Sequence, residues 1–136
     1  MSTATAINNA ATVGAMYEAF GRGDIPGVIN QLADDCQWVG AGEGSLPQGG
    51  TYVGKDAINF FQRLGDSIEF TAFNPISINN INDNEVVVFG FMSAISKKTG
   101  KSSASNWVMR WKFNEEGKAV YFEDFYDTAA AYLANQ

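Results

Sequence analysis

From residue 67 to residue 126 the apolar positions fall on every second residue or in short unbroken runs, and only turn signals interrupt them. Asn82-Asp83-Asn84, residues 97–101 around Gly100, and Glu115-Glu116-Gly117 are such turns, and they divide the stretch into residues 67–78, 85–96, 105–113 and 119–126. A period of two with tight turns between segments means consecutive antiparallel strands. Asn74-Pro75 breaks the first of them, and proline cannot donate to a ladder, so that strand belongs at an edge or at a bulge. Val86-Val87-Val88-Phe89 is apolar on both faces, so one face meets something other than the protein's own helices.

The first half has a different period. Val13, Met16, Tyr17 and Phe20 recur at helical spacing and predict a helix over residues 10–20, stopped by Gly21-Arg22-Gly23. Asp24 is placed to cap a second helix with Pro26 in its first turn, and Ile25, Val28, Ile29 and Leu32 form its buried stripe. Asp34-Asp35 leads as solvated turn acids into a short strand over residues 36–40. Residues 40–50, GAGEGSLPQGG, are too glycine-rich for a helix and read as a lid or binding loop. Ala57, Phe60, Phe61 and Leu64 make the apolar face of a third helix over residues 55–64, ended by Gly65. After the last strand, Asp127 or Thr128 caps a short C-terminal helix through Leu133. Helices gathered on one side of a mostly antiparallel sheet define an α+β fold. The expected organisation is a flexible N-terminus, residues 1–9, and a single domain, residues 10–136.

Composition removes most enzyme classes. With no histidine, imidazole catalysis, serine–histidine and cysteine–histidine dyads and histidine-ligated metals are excluded. Cys36 is the single cysteine, which excludes an internal disulfide and a thiolate metal cluster, and beside Trp38 it reads as a small core residue. No metal site and no cofactor are expected. The net charge of -6 argues against a nucleic-acid surface and against an anionic membrane face. No signal peptide is evident, the apolar run near residues 86–92 is too short to span a bilayer, and a cytoplasmic location is expected.

Tyr17-Glu18-Ala19-Phe20, Gly23-Asp24-Ile25, Leu32-Ala33-Asp34-Asp35, residues 54–61, Gly117-Lys118 and Asp127-Thr128-Ala129-Ala130, in that order, resemble the SnoaL-like, ketosteroid isomerase-related group of the nuclear transport factor 2-like superfamily. The resemblance covers about residues 10–134. It implies a cone-shaped α+β barrel (the cystatin-like arrangement): a curved sheet wraps three helices, a short helix follows at the C-terminus, and the dimer forms through the sheet's outer face. The hollow of the cone is the usual active site, and members include isomerases, polyketide cyclases, epoxide hydrolases, dehydratases and plain binding modules.

The group's catalytic residues are only partly present. Where steroid isomerases carry a tyrosine on the first helix, eight residues before the Asp24-like aspartate, this chain has Met16, with Tyr17 a quarter-turn away. Gly40 stands at the position of their general base and Met109 at that of their protonated aspartic acid. The Arg-x-Asp pair of the epoxide hydrolases would fall near Gly90 and Met92 and is missing, and the pocket histidine of the cyclases is absent. One carboxylate matches: Asp124, the last-strand aspartate of the epoxide hydrolases. Alternation from Asp124 and Met109 turns Met92, Trp107, Met109, Trp111, Phe122 and Tyr126 inward, joined by Trp38 from the first strand, Met16 and Phe20 from the first helix and Phe60 and Phe61 from the third, while Phe89, Phe91 and Phe125 face a second subunit.

Such a lining suits a small apolar metabolite, polycyclic or aromatic. One reading is a cofactor-independent isomerase, cyclase, hydrolase or lyase using Asp124 as acid or base, because burial raises a carboxyl's pKa. The other is a non-catalytic dimeric module that binds a ligand or a protein.

Overall fold

The computed structural model describes residues 3–136, with side chains from Asn9 onward. Four helices and six strands follow in the order α1 (Thr3–Gly21), α2 (Ile25–Ile29), β1 (Leu32–Gly40), β2 (Gly50–Val53), a 3-10 turn (Gly54–Ala57), α3 (Ile58–Ser67), β3 (Ile68–Asn82), β4 (Glu85–Ser96), β5 (Ser102–Phe113), β6 (Ala119–Tyr126) and α4 (Thr128–Ala134). The strands form one sheet in the order β2-β1-β6-β5-β4-β3. Helices α1 to α3 belong to the N-terminal half and α4 closes the chain, so the architecture is α+β.

Local signals account for most boundaries. Asp24 caps α2, its carboxylate accepting the Gly27 N–H at 3.1 Å, and Asp127 caps α4 by accepting from Ala130 N at 3.0 Å. β3 is an edge strand, and its register slips between Pro75 and Ser77, which absorbs the missing proline donor. β4 and β6 have the expected limits.

Elsewhere the structure departs from the sequence reading. α1 begins at Thr3 and not near residue 10; of the expected flexible segment 1–9, residues 1 and 2 lie outside the described residues. Leu32, Asp34 and Asp35 belong to β1, whose register to β6 slips between Leu32 and Gln37, so the two aspartates are exposed strand residues and not turn acids. β5 starts at Ser102, three residues early, and α3 runs past Gly65. β2 was not anticipated: the chain leaves the glycine-rich loop as a short strand, with Trp38 opposite Tyr52.

The sheet is mixed, because β1 runs parallel to β6 and antiparallel to β2. That pairing puts Trp38 opposite Phe122, and the two rings stack with centroids 3.8 Å apart. Val13, Met16, Val28, Val86, Val88, Trp107, Trp111 and Phe122 are all buried in the core between the helices and the inner face. Gly90 is required on that face. A Cβ there would lie 2.1 Å from Cζ2 of Trp107, its cross-strand partner, so the indole lies directly on the β4 backbone. Among the described residues, no helix is long and apolar enough to cross a membrane.

Candidate functional site

The inner face of β4 to β6, the helices α1 and α3 and the glycine-rich loop line a partly open chamber of about 110 Å³. All eleven side chains of the inward set lie on its wall together with Asp124. For scale, an engineered cavity of about 150 Å³ takes a benzene ring. The free space is smaller than that and admits no more than one ring. The bulk of the expected hollow is filled by the chain's own aromatics: Trp107 touches Tyr17 and Phe73, and Phe20 packs on Phe61 and Phe73.

Asp124 is 6% exposed on β6. Because Val39 pairs with Glu123 across the parallel ladder, Ala41 emerges beside Asp124, and its N–H donates to Oδ1 at 2.7 Å. Burial pushes the carboxyl up to about 6, and the Ala41 bond only partly opposes that. Across the β5 ladder Asp124 faces Met109. Tyr17 donates its O–H to the Met109 sulfur at 2.9 Å and accepts from Trp111 Nε1 at 3.2 Å. Burial, with a smaller contribution from the Asp124 charge, holds the Tyr17 phenol well above its ordinary pKa. Tyr126 is raised in the same way, so both phenols keep their protons as donors.

The structure corrects the phase of α1. Both Met16 and Tyr17 reach the chamber, and Tyr17 carries the polar atom. Its signal was present in the spacing Val13, Tyr17, Phe20, which is as good a helical stripe as the one through Met16. Gly40 has a physical reason: a Cβ there would meet the Phe60 ring and the Gln48 carbonyl oxygen at 2.9 Å, so packing leaves no room for a base. The loop between β1 and β2 folds inward. Leu46, Pro47 and Gln48 line the chamber, with Gln48 only 5% exposed. Gly49 permits this, since a Cβ there would stand 2.3 Å from the Gly42 carbonyl carbon. Nothing in the sequence marks Gln48 except its place in a loop rich in glycine. Phe73 and the small face of α4, Ala130, Ala131 and Ala134, complete the wall and were also missed.

Cys36 is fully buried, and burial pushes its thiol up to about 12, which fits a core residue. Among the described residues, no three His, Cys, Asp or Glu side chains gather as a metal site. On the outer face, Phe89, Val108 and Phe125 stand in one row across β4, β5 and β6, and Phe89 and Phe125 are 50% and 46% exposed. Phe91, on the same face of β4, is half-buried.

Comparison with known proteins agrees with this architecture. An NTF2-like protein of unknown function from Burkholderia pseudomallei is 33% identical, with a TM-score of 0.85 over 100% of this chain and 99% of that one. An NTF2-like protein from Burkholderia thailandensis is 28% identical, with a TM-score of 0.84 over 94% of this chain and 97% of that one. TerC, co-crystallized with polyporic acid, is 26% identical, with a TM-score of 0.77 over 93% of this chain and 97% of that one. No curated protein matches the sequence significantly. The SnoaL-like domain model matches residues 13–122, from the second half of α1 through the loop to the first half of β6, and the chain therefore belongs to the SnoaL-like domain family.

Proposed function

We propose that this protein binds a small aromatic metabolite in the chamber and moves a proton on it, without a cofactor, through Asp124. The observation that carries the reading is the carboxyl of Asp124, a residue only 6% exposed, held near a pKa of about 6 on the wall of an otherwise apolar and aromatic chamber. A base of that pKa is mostly ionised at neutral pH and still releases the proton it takes. Enolisation next to a carbonyl also needs a donor for the developing oxyanion, and the Tyr17 and Tyr126 phenols stay protonated on the same wall. Tyr17 gives its proton to a thioether, a weak acceptor, so exchanging Met109 for a ligand oxygen is favourable. The co-crystallization of TerC with polyporic acid supports a small-molecule occupant. A polycyclic ligand requires Phe20, Phe61 or Phe73 to move, since the free volume admits one ring.

The test uses phenylacetone, a one-ring ketone, in D2O. Wild-type protein accelerates deuterium exchange at its α-carbon, the rate falls as pH drops through about 6, and Asp124→Asn removes the acceleration. Exchange no faster than in buffer, with the ketone bound, refutes the catalytic reading and leaves the non-catalytic binding module. The Phe89–Val108–Phe125 row supports a homodimer through the outer sheet face, with Phe91 beside it. Light scattering at twice the chain mass is the expected result, and a monomer refutes it.

A further inference from the structure

Among the described residues of the chamber wall, Gln48 carries the buried side-chain oxygen that has no partner. Its Nε2 donates to the Tyr126 phenol oxygen at 3.3 Å, while its Oε1, fully buried, has no hydrogen-bond partner among the described residues. Tyr126 is left in the complementary state: its oxygen accepts from Gln48 and its own O–H remains free to donate. Both side chains line the chamber, two residues along β6 from Asp124 in the case of Tyr126. Gln48 is also held in place before any ligand arrives. Tyr52 O–H donates to the Gln48 carbonyl at 2.9 Å, and Arg63 Nη1 donates to the Tyr52 oxygen at 3.1 Å. A buried acceptor on a fixed backbone has no cheap way to turn toward water, so leaving it unpaired is costly.

We infer that Gln48 and Tyr126 together select a one-ring ligand that carries a hydroxyl, its proton going to Gln48 Oε1 and its oxygen accepting from Tyr126 O–H. A purely apolar ring satisfies neither atom. A ring with a carbonyl alone accepts from Tyr126 and leaves Gln48 Oε1 unpaired, whereas one hydroxyl, at once donor and acceptor, satisfies both. The chamber's volume of about 110 Å³ sets the limit of one ring. The inference rests on the ligand chamber proposed above and adds the functional groups of the occupant.

Three one-ring probes separate the terms: toluene, acetophenone and 4-methylphenol, titrated calorimetrically into wild type, Gln48→Met and Tyr126→Phe. In wild type, 4-methylphenol binds about tenfold or more tighter than toluene or acetophenone, the ratio expected for one buried hydrogen bond that would otherwise be missing. Gln48→Met removes the gain from the hydroxyl and leaves acetophenone unchanged. Tyr126→Phe weakens acetophenone and 4-methylphenol alike, since both accept its proton. Toluene binding is the same in all three proteins. If toluene binds wild type as tightly as 4-methylphenol, the inference falls and the chamber stands; that comparison needs no variant to fold. If no probe binds, both fall.

Discussion

Asp124→Asn should make the protein more stable at neutral pH, although it removes the proposed catalytic group. Asp124 is 6% exposed, and burial moves its pKa from an ordinary 3.8 to about 6 in the folded chain. A folded-state pKa above the unfolded one means that the native state prefers the protonated carboxyl. The stability it contributes is therefore complete below about 3.8 and is lost as pH rises through about 6. The loss by pH 8 is roughly 3 kcal/mol, from about 1.4 kcal/mol per pKa unit. Asparagine imitates the protonated acid: it has the same shape, no charge, and an oxygen for the Ala41 N–H. Urea unfolding of both proteins at several pH values isolates the effect, since every other carboxylate cancels in the difference. Their stabilities should nearly coincide at pH 4 and diverge by about 3 kcal/mol at pH 8, a midpoint shift of roughly 1.5 M for a slope of about 2 kcal/mol/M. Parallel curves from pH 4 to 8 would show that Asp124 ionises as easily in the native chain as in the unfolded one, and the argument from burial would be wrong.

Three further outcomes follow from packing. Gly90→Ala places a methyl 2.1 Å from the Trp107 ring and should cost about 1–3 kcal/mol by overpacking, read as a lower urea midpoint with an altered tryptophan emission; an unchanged midpoint would mean that the ring does not lie on Gly90. Tyr17→Phe leaves the Trp111 indole N–H without its acceptor and should cost about 1–3 kcal/mol; a neutral effect contradicts that bond. Asp127→Ala removes the α4 cap, worth about 1 kcal/mol, and should speed amide exchange at Ala130, with unchanged protection refuting the cap.

What the sequence revealed and what it concealed divide along physical lines. The limits of β4 and β6 were legible because the turns that bound them are local signals, and so were the two aspartate caps, which act within one helical turn. The strand members of the inward set followed from one assumption, that Asp124 and Met109 face in, because a period of two then fixes their neighbours; Met16, Phe20, Phe60 and Phe61 came instead from the apolar stripes of two helices. The parallel pairing of β1 with β6 left no such trace. It joins residues more than eighty positions apart, and the Ala41 bond to Asp124 depends on it entirely. Tyr17 was misjudged because Met16 and Tyr17 are the two edges of one apolar stripe about 100° wide, with Val13 and Phe20 between them, so both face the core and choosing one edge wrongly excluded the other. Gln48 was invisible for a different reason: a polar residue in a glycine-rich loop looks solvated until Gly49 lets the chain fold back and bury it. The chamber's size was equally hidden, since alternation says which rings point inward and not how far they fill the space.

The account depends most on the state of one carboxyl group. A ¹³C NMR titration of the aspartate side-chain carboxyls, with the Asp124 signal assigned by its loss in Asp124→Asn, measures that state directly. The account predicts a midpoint of about 6. A midpoint near 3.8, the value of a solvated aspartate, would contradict it.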